Sequence, residues 1–92
     1  MGYINFSMPA LQIERLIRGL NSWPSAYTYM NGKTLKIWEA DVLEEEYQGE
    51  AGEIVGITKE QVLVKTGKGT LSLKQVQLEG KKRMEISAFL RG

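Results

Sequence analysis

The 92-residue sequence contains no histidine and no cysteine. Without histidine there is no Ser–His–Asp triad and no Cys–His pair. Without either residue the usual zinc ligand sets and all thiol chemistry are gone. A disulfide framework is excluded too, so nothing points to a small secreted scaffold held by bridges. The serines Ser7, Ser22, Ser25, Ser72 and Ser87 stand in no Gly-x-Ser-x-Gly setting. Any catalysis would fall to carboxylates, lysine, tyrosine or serine. Long apolar runs are also missing: no stretch approaches the roughly 18 residues a membrane helix needs. The opening Met1-Gly2-Tyr3-Ile4-Asn5-Phe6 lacks the basic start of a signal peptide. Phe6 stands where a myristoylation start requires Ser or Thr. These absences predict a cytoplasmic protein with no metal and no membrane partner.

What is present fits one small domain spanning residues 1–92, 42% hydrophobic and 25% charged. A chain of this size buries only about 60% of its unfolded surface. Ile13, Leu16, Ile17 and Leu20 recur at helical spacing and predict a helix over 7–20. Ser7 is placed as its N-cap, with Pro9 in the first turn and a Phe6–Leu11 staple. Arg15 and Arg18 fall off the apolar stripe. Asn21 and Pro24 supply the stop.

From Tyr27 onward the pattern is that of strands. Tyr27–Met30 leads into Asn31-Gly32, a two-residue hairpin turn, and a strand from Lys33 to about Val42 follows. Apolar parity shifts between Ile37 and Trp38, which predicts a bulge or burial on both faces. Leu43–Gly52 is polar and reads as a loop. Strands follow at about 53–57, 61–65 and 70–78, with Thr66–Gly69 as a tight hairpin. Parity shifts again between Leu73 and Val76. Ile86–Leu90 reads as a short helical turn. One helix and about five short strands predict a mainly β chain: a small OB-like barrel with a helix packed at one end.

The net charge of +1 conceals segregation. Residues 1–38 carry four bases against Glu14, a net +3. Residues 39–60 carry eight acids against Lys59, a net −7. Residues 61–92 carry seven bases against Glu79 and Glu85, a net +5. Two readings stand: a basic face that binds phosphates, or charges that merely solvate a small barrel. Gly67-Lys68-Gly69 lacks the spacing of a phosphate-cradling loop and reads as a hairpin turn. Glu44-Glu45-Glu46 lacks the ligand spacing of a calcium loop and reads as solvated. Tyr27, Tyr29 and Trp38 fit either barrel packing or a base-stacking platform.

Four stretches in order carry a resemblance. They are Ile17-Arg18-Gly19-Leu20 with Pro24-Ser25-Ala26-Tyr27-Thr28, then Asn31–Ala40, then Thr66–Leu71 with Leu73 and Val76-Gln77-Leu78, and last Glu79–Met84 with Phe89–Gly92. Together they resemble the C-terminal domain of methionyl-tRNA formyltransferases, from about Ile4 to Gly92. Ser25 and Lys68 stand where that family usually has Gly and Asp, and Ala51-Gly52 replaces a frequent Pro-Gly. The resemblance implies a parent enzyme that transfers a formyl group from formyl-tetrahydrofolate to initiator methionyl-tRNA. Its catalytic Asn, His and Asp would lie in a separate N-terminal domain of the same polypeptide. For this chain it implies no catalytic residue and no cofactor of its own. The expected role is RNA binding through Lys33, Lys36, Lys68, Lys74, Lys81, Lys82 and Arg83, which would position the initiator tRNA. Arg18 would instead support the helix-to-barrel join or the catalytic domain. The alternative is a scaffold barrel of a formyltransferase acting on a small molecule such as a sugar nucleotide.

Overall fold

A computed structural model describes residues 2–20 and 25–91. Its elements are α1 (Ala10–Gly19), β1 (Tyr27–Met30), β2 (Lys33–Leu43), β3 (Ile54–Ile57), β4 (Val62–Lys65), β5 (Thr70–Leu78), β6 (Met84–Glu85) and α2 (Ile86–Arg91). All strand pairs are antiparallel, in the order β1-β2-β5-β4-β3, with β6 added to β5. The sheet curls into a mainly β half-barrel. Among the described residues β1 and β3 share no ladder, so the barrel keeps an open seam. The N-terminal segment runs along that seam. Ile4 N–H donates to the Tyr27 carbonyl and Tyr27 N–H to the Gly2 carbonyl, both at 2.9 Å.

The β1–β2 turn forms as its residues dictate. Asn31 and Gly32 both take positive φ, 51° and 80°, which suits the right-handed twist of the flanking strands. The parity shifts also appear. Ile37 pairs with Val76 and Ala40 with Leu73, all four buried, and the register is irregular between them. Both strands turn over at one level, so each keeps apolar residues inside along its length. Ala10, Ile13 and Ile17 of α1 join the same core as Leu35, Leu71 and Ile86.

The helix start differs from expectation. α1 begins at Ala10, and Pro9, with φ −60° and ψ 146°, is its N-cap without any side-chain cap. The Lys68 carbonyl accepts the Ala10 N–H at 2.9 Å and replaces the missing cap. Ser7 instead gives its N–H to Asn5 Oδ1 in a local turn. Leu11 is exposed while Phe6 packs on the core, so the predicted staple is absent. The expected stop at Asn21 and Pro24 lies outside the described residues. The two-residue β6 carries too little pattern to be foreseen.

Candidate nucleic-acid interface

Leu35 and Ile37 point into the core, so Lys36 between them points outward. The register sets Lys36 beside Tyr27 on β1 and Gln77 on β5. Trp38 lies on the same outer face, half-buried, with Lys36 Nζ 5.9 Å and the Arg83 guanidinium 4.8 Å from its ring centre. Both cations are within the range where the ring quadrupole attracts them. The Trp38 indole N–H donates to Gln77 Oε1 at 3.0 Å, and Gln77 Nε2 donates to the Lys81 carbonyl at 3.0 Å. Arg83 Nε donates to Gln75 Oε1 at 2.7 Å, and Gln75 Nε2 donates to Glu85 Oε2 at 2.6 Å. This network fixes the turn that carries Lys81, Lys82 and Arg83.

Lys33 joins the same end of the sheet. Glu79 N–H donates to the Thr34 carbonyl at 2.8 Å, and Thr34 N–H donates to Glu79 Oε1 at 3.0 Å. The start of β2 is thereby tied to the end of β5. Lys33, Lys36, Lys81, Lys82 and Arg83 are all exposed there. The other two candidates lie elsewhere. Lys74, midway along β5, has its Nζ 3.6 Å from Asp41 Oδ2. Lys68 sits in the β4–β5 connection, at the opposite end of β5, beside a surface hollow that Arg15, Glu44 and Glu46 also line. Nine strand residues separate the two ends, roughly 25–30 Å of extended chain. Arg18 pairs with Glu14 at 2.7 Å, and both line a hollow with Trp38 and Arg83.

Neither charge nor motif singles out Gln75 and Gln77. Their only signal is the two-residue alternation that sets Gln77 opposite Lys36 and Gln75 opposite Glu39.

The Gly67-Lys68-Gly69 segment has no free N–H groups at its glycines for a phosphate. Gly67 N–H is shared by the Phe6 and Met8 carbonyls, at 2.9 and 3.1 Å. Gly69 N–H donates to Glu46 Oε2 at 2.7 Å. The acidic loop is therefore anchored rather than simply solvated. Lys65 Nζ donates to Glu46 Oε1 at 3.0 Å, and Thr70 Oγ1 donates to the Glu45 carbonyl at 2.7 Å. The Lys65 hydrogen bond, seconded by the Gly69 N–H, holds the Glu46 carboxyl below the usual carboxylate range.

A family model for the formyl transferase C-terminal domain matches residues 1–92. The chain belongs to that family. It is 56% identical over 92 residues to a methionyl-tRNA formyltransferase of Agathobacter rectalis, covering 100% of this chain and 30% of that protein. It is 53% identical over 89 residues to one from Streptococcus thermophilus, covering 97% of this chain and 28% of the relative. The chain thus spans under a third of the length of the curated relatives it matches. HypX from Aquifex aeolicus shares the fold, with TM-score 0.72 and 22% identity over 98% of this chain and 17% of HypX. A HypX structure in complex with tetrahydrofolic acid gives the same TM-score.

This formyl transferase C-terminal domain offers no fitting pocket for such a cofactor at its open seam. The cavity there is about 200 Å³ and is lined mostly by apolar side chains including Met30, Ile54, Val62 and Phe89, with Thr28 and Tyr29 its polar residues and no charged group among them. A tetrahydrofolate carries an anionic glutamate tail and a polar pterin, which that lining would leave unpaired. Among the described residues no group of three His, Cys, Asp or Glu side chains is placed to hold a metal ion.

Proposed function

We propose that this domain holds an RNA for a formyl-transferring catalytic domain of the same polypeptide, with initiator methionyl-tRNA as the substrate. The observation that carries the reading is the gathering of Lys33, Lys36, Lys81, Lys82 and Arg83 at one end of the sheet. The likeness to methionyl-tRNA formyltransferases names the RNA. Formyl-tetrahydrofolate would bind and react in the other domain, and the setting would be translation initiation in the cytoplasm. Contacts to phosphates position an RNA without reading its bases. Lys68 and Lys74 stand outside the cluster and are not assigned to the contact. A scaffold barrel for a small-molecule formyltransferase would need no such gathering, and the clustering favours the RNA reading.

The test is binding of initiator tRNA to the 92-residue chain across a salt series. Each neutralised phosphate contributes roughly 0.7–0.9 to the slope of log affinity against log salt. Three to five contacts give a slope of about −2 to −4.5. Replacing Lys81, Lys82 and Arg83 together with alanine should flatten it by about 2 to 3, whereas Lys68→Ala with Lys74→Ala should leave it nearly unchanged. A flat salt dependence, or equal effects of the two sets, would overturn the proposal.

A further inference from the structure

The outer face of the sheet carries more than charge. Tyr3 bridges to Tyr27, Tyr27 pairs with Lys36, and Lys36 pairs with Gln77. Partners across a sheet point to the same side, so these residues form one outward row. Arg83 closes it over the Trp38 ring. The row on one side ends in Glu79 and the row on the other carries Glu39 and Glu85, but the middle row contains no carboxylate.

Tyr29 stands two residues from Tyr27 and faces the same way. The rings of Tyr3, Tyr27 and Tyr29 pack against one another with centroids 5.7–5.8 Å apart. Tyr3 and Tyr29 nevertheless remain 56% and 57% exposed. Core packing does not account for rings left that far in water. Mutual contact does restrict their motion, so a ligand stacking on them would lose little further freedom.

Four aromatic rings and two cations on one outward face suit a ligand with flat apolar rings and negative charge. Unpaired nucleotides have both. Duplex RNA keeps its bases stacked inside the helix and presents only phosphates and groove edges. Neighbouring strands lie about 4.8 Å apart, so the row from Tyr3 to Arg83 spans roughly 19 Å. Aromatic-bearing sheets of about four strands stack two or three bases.

We propose that the outer face of β1, β2 and β5 stacks two or three unpaired nucleotides of the bound RNA, with Tyr3, Tyr27 and Tyr29 offering ring faces and Lys36 and Arg83 meeting the intervening phosphates. The inference rests on the RNA reading above and deepens it: the cations supply affinity and the tyrosines select single-stranded over paired RNA.

The experiment compares an unstructured single strand of about sixteen nucleotides with a blunt duplex of about eight base pairs, which has nearly the same phosphate number, both bound to the 92-residue chain at one salt concentration. Stacking on an aromatic side chain is worth roughly 5- to 150-fold in affinity per base. Tyr29→Ala should weaken single-strand binding by about fivefold or more and duplex binding by less than about twofold. Tyr29→Phe, which keeps the ring, should bind the single strand like the parent. Tyr29 is exposed, and far-ultraviolet circular dichroism of Tyr29→Ala checks that the fold persists. Equal losses on both RNAs, or no loss on either, would overturn the stacking proposal while leaving a salt-dependent RNA contact intact. Failure of the parent chain to bind either RNA at low salt would overturn both.

Discussion

Gly67→Ala tests the contact that joins the N-terminal segment to the β4–β5 connection. Gly67 has no positive φ, so the backbone itself would accept alanine. The obstacle is steric: a Cβ at this position would lie 1.8 Å from the Ser7 carbonyl oxygen and 2.7 Å from its carbon. Relaxed carbon–oxygen contacts start at about 3.3 Å, so the two segments must separate by roughly 1.5 Å. Gly67 N–H to the Phe6 and Met8 carbonyls and Ala10 N–H to the Lys68 carbonyl, at 2.9–3.1 Å, would then stretch beyond bonding range. Three bonds at about 0.5–1.5 kcal/mol each give a destabilisation of about 2–4 kcal/mol. A domain of this size has only about 5–15 kcal/mol in all. At about 4–8 °C per kcal/mol, the melting temperature should fall by about 10–25 °C, read by circular dichroism. Gly19→Ala is the control of opposite sign. It stands at the end of α1 with, among the described residues, nothing within 4 Å of where the alanine methyl would sit, and should gain about 0.5–1 kcal/mol of helix propensity. A Gly67→Ala melting temperature within about 3 °C of the parent would refute the claim that this contact constrains the fold.

Two buried hydroxyls should behave oppositely. Thr66 Oγ1 reaches the Lys68 and Gly69 carbonyls at 2.7 and 2.8 Å, so Thr66→Val should cost about 1–3 kcal/mol in urea unfolding. Ser72 Oγ is buried without a partner among the described residues, so Ser72→Ala should be neutral or stabilising by up to about 1 kcal/mol, and a clear loss would reveal a partner such as a bound water. Glu46 supplies a pH test. Its pKa is lowered in the folded state, so its stabilisation is full above the ordinary glutamate value of about 4.3 and fades as pH falls through the folded value. Glu46→Gln should therefore unfold more easily than the parent at pH 6, with the gap closing below about pH 4. A gap that persists undiminished to the lowest pH would mean that the carboxylate charge is not what holds the loop.

The helix stripe, the Asn31-Gly32 turn and the two parity shifts were legible because each is written in local spacing. Ile37 with Ala40 and Leu73 with Val76 could not keep one face without a bulge, and the paired strands carry theirs at the same level. The helix start was not legible. Ser7 is the better cap by side chain, yet the carbonyl that receives the Ala10 N–H belongs to Lys68, 58 positions away. The site was half legible. The resemblance named seven candidate bases, and pairing between β2 and β5 separates the five at one end from Lys68 and Lys74. Gln75 and Gln77 carry no charge, and their part emerges only when Trp38 and Arg83 are seen bonded to them.

The same pairing explains how a chain of net charge +1 presents a basic face. The β4–β5 end of the sheet carries Glu44, Glu45, Glu46, Glu50 and Glu53 against Arg15, Lys65 and Lys68, a net −2. The opposite end carries the five clustered bases against Glu39, Glu79 and Glu85, a net +2. These ends lie roughly 25 Å apart along β5, about three Debye lengths at physiological salt. At that separation the acidic end neither cancels the basic one nor draws its cations away. Glu46, tied to Lys65 and Gly69, keeps the acidic loop at the far end. An RNA approaching the basic end therefore meets a local charge set by Lys33, Lys36, Lys81, Lys82 and Arg83, and an overall charge near zero imposes no penalty on binding there. Moving the acids would be more damaging than adding to them: one new carboxylate at Gln77, between Lys36 and Lys81, should weaken phosphate binding more than several at the β4–β5 end.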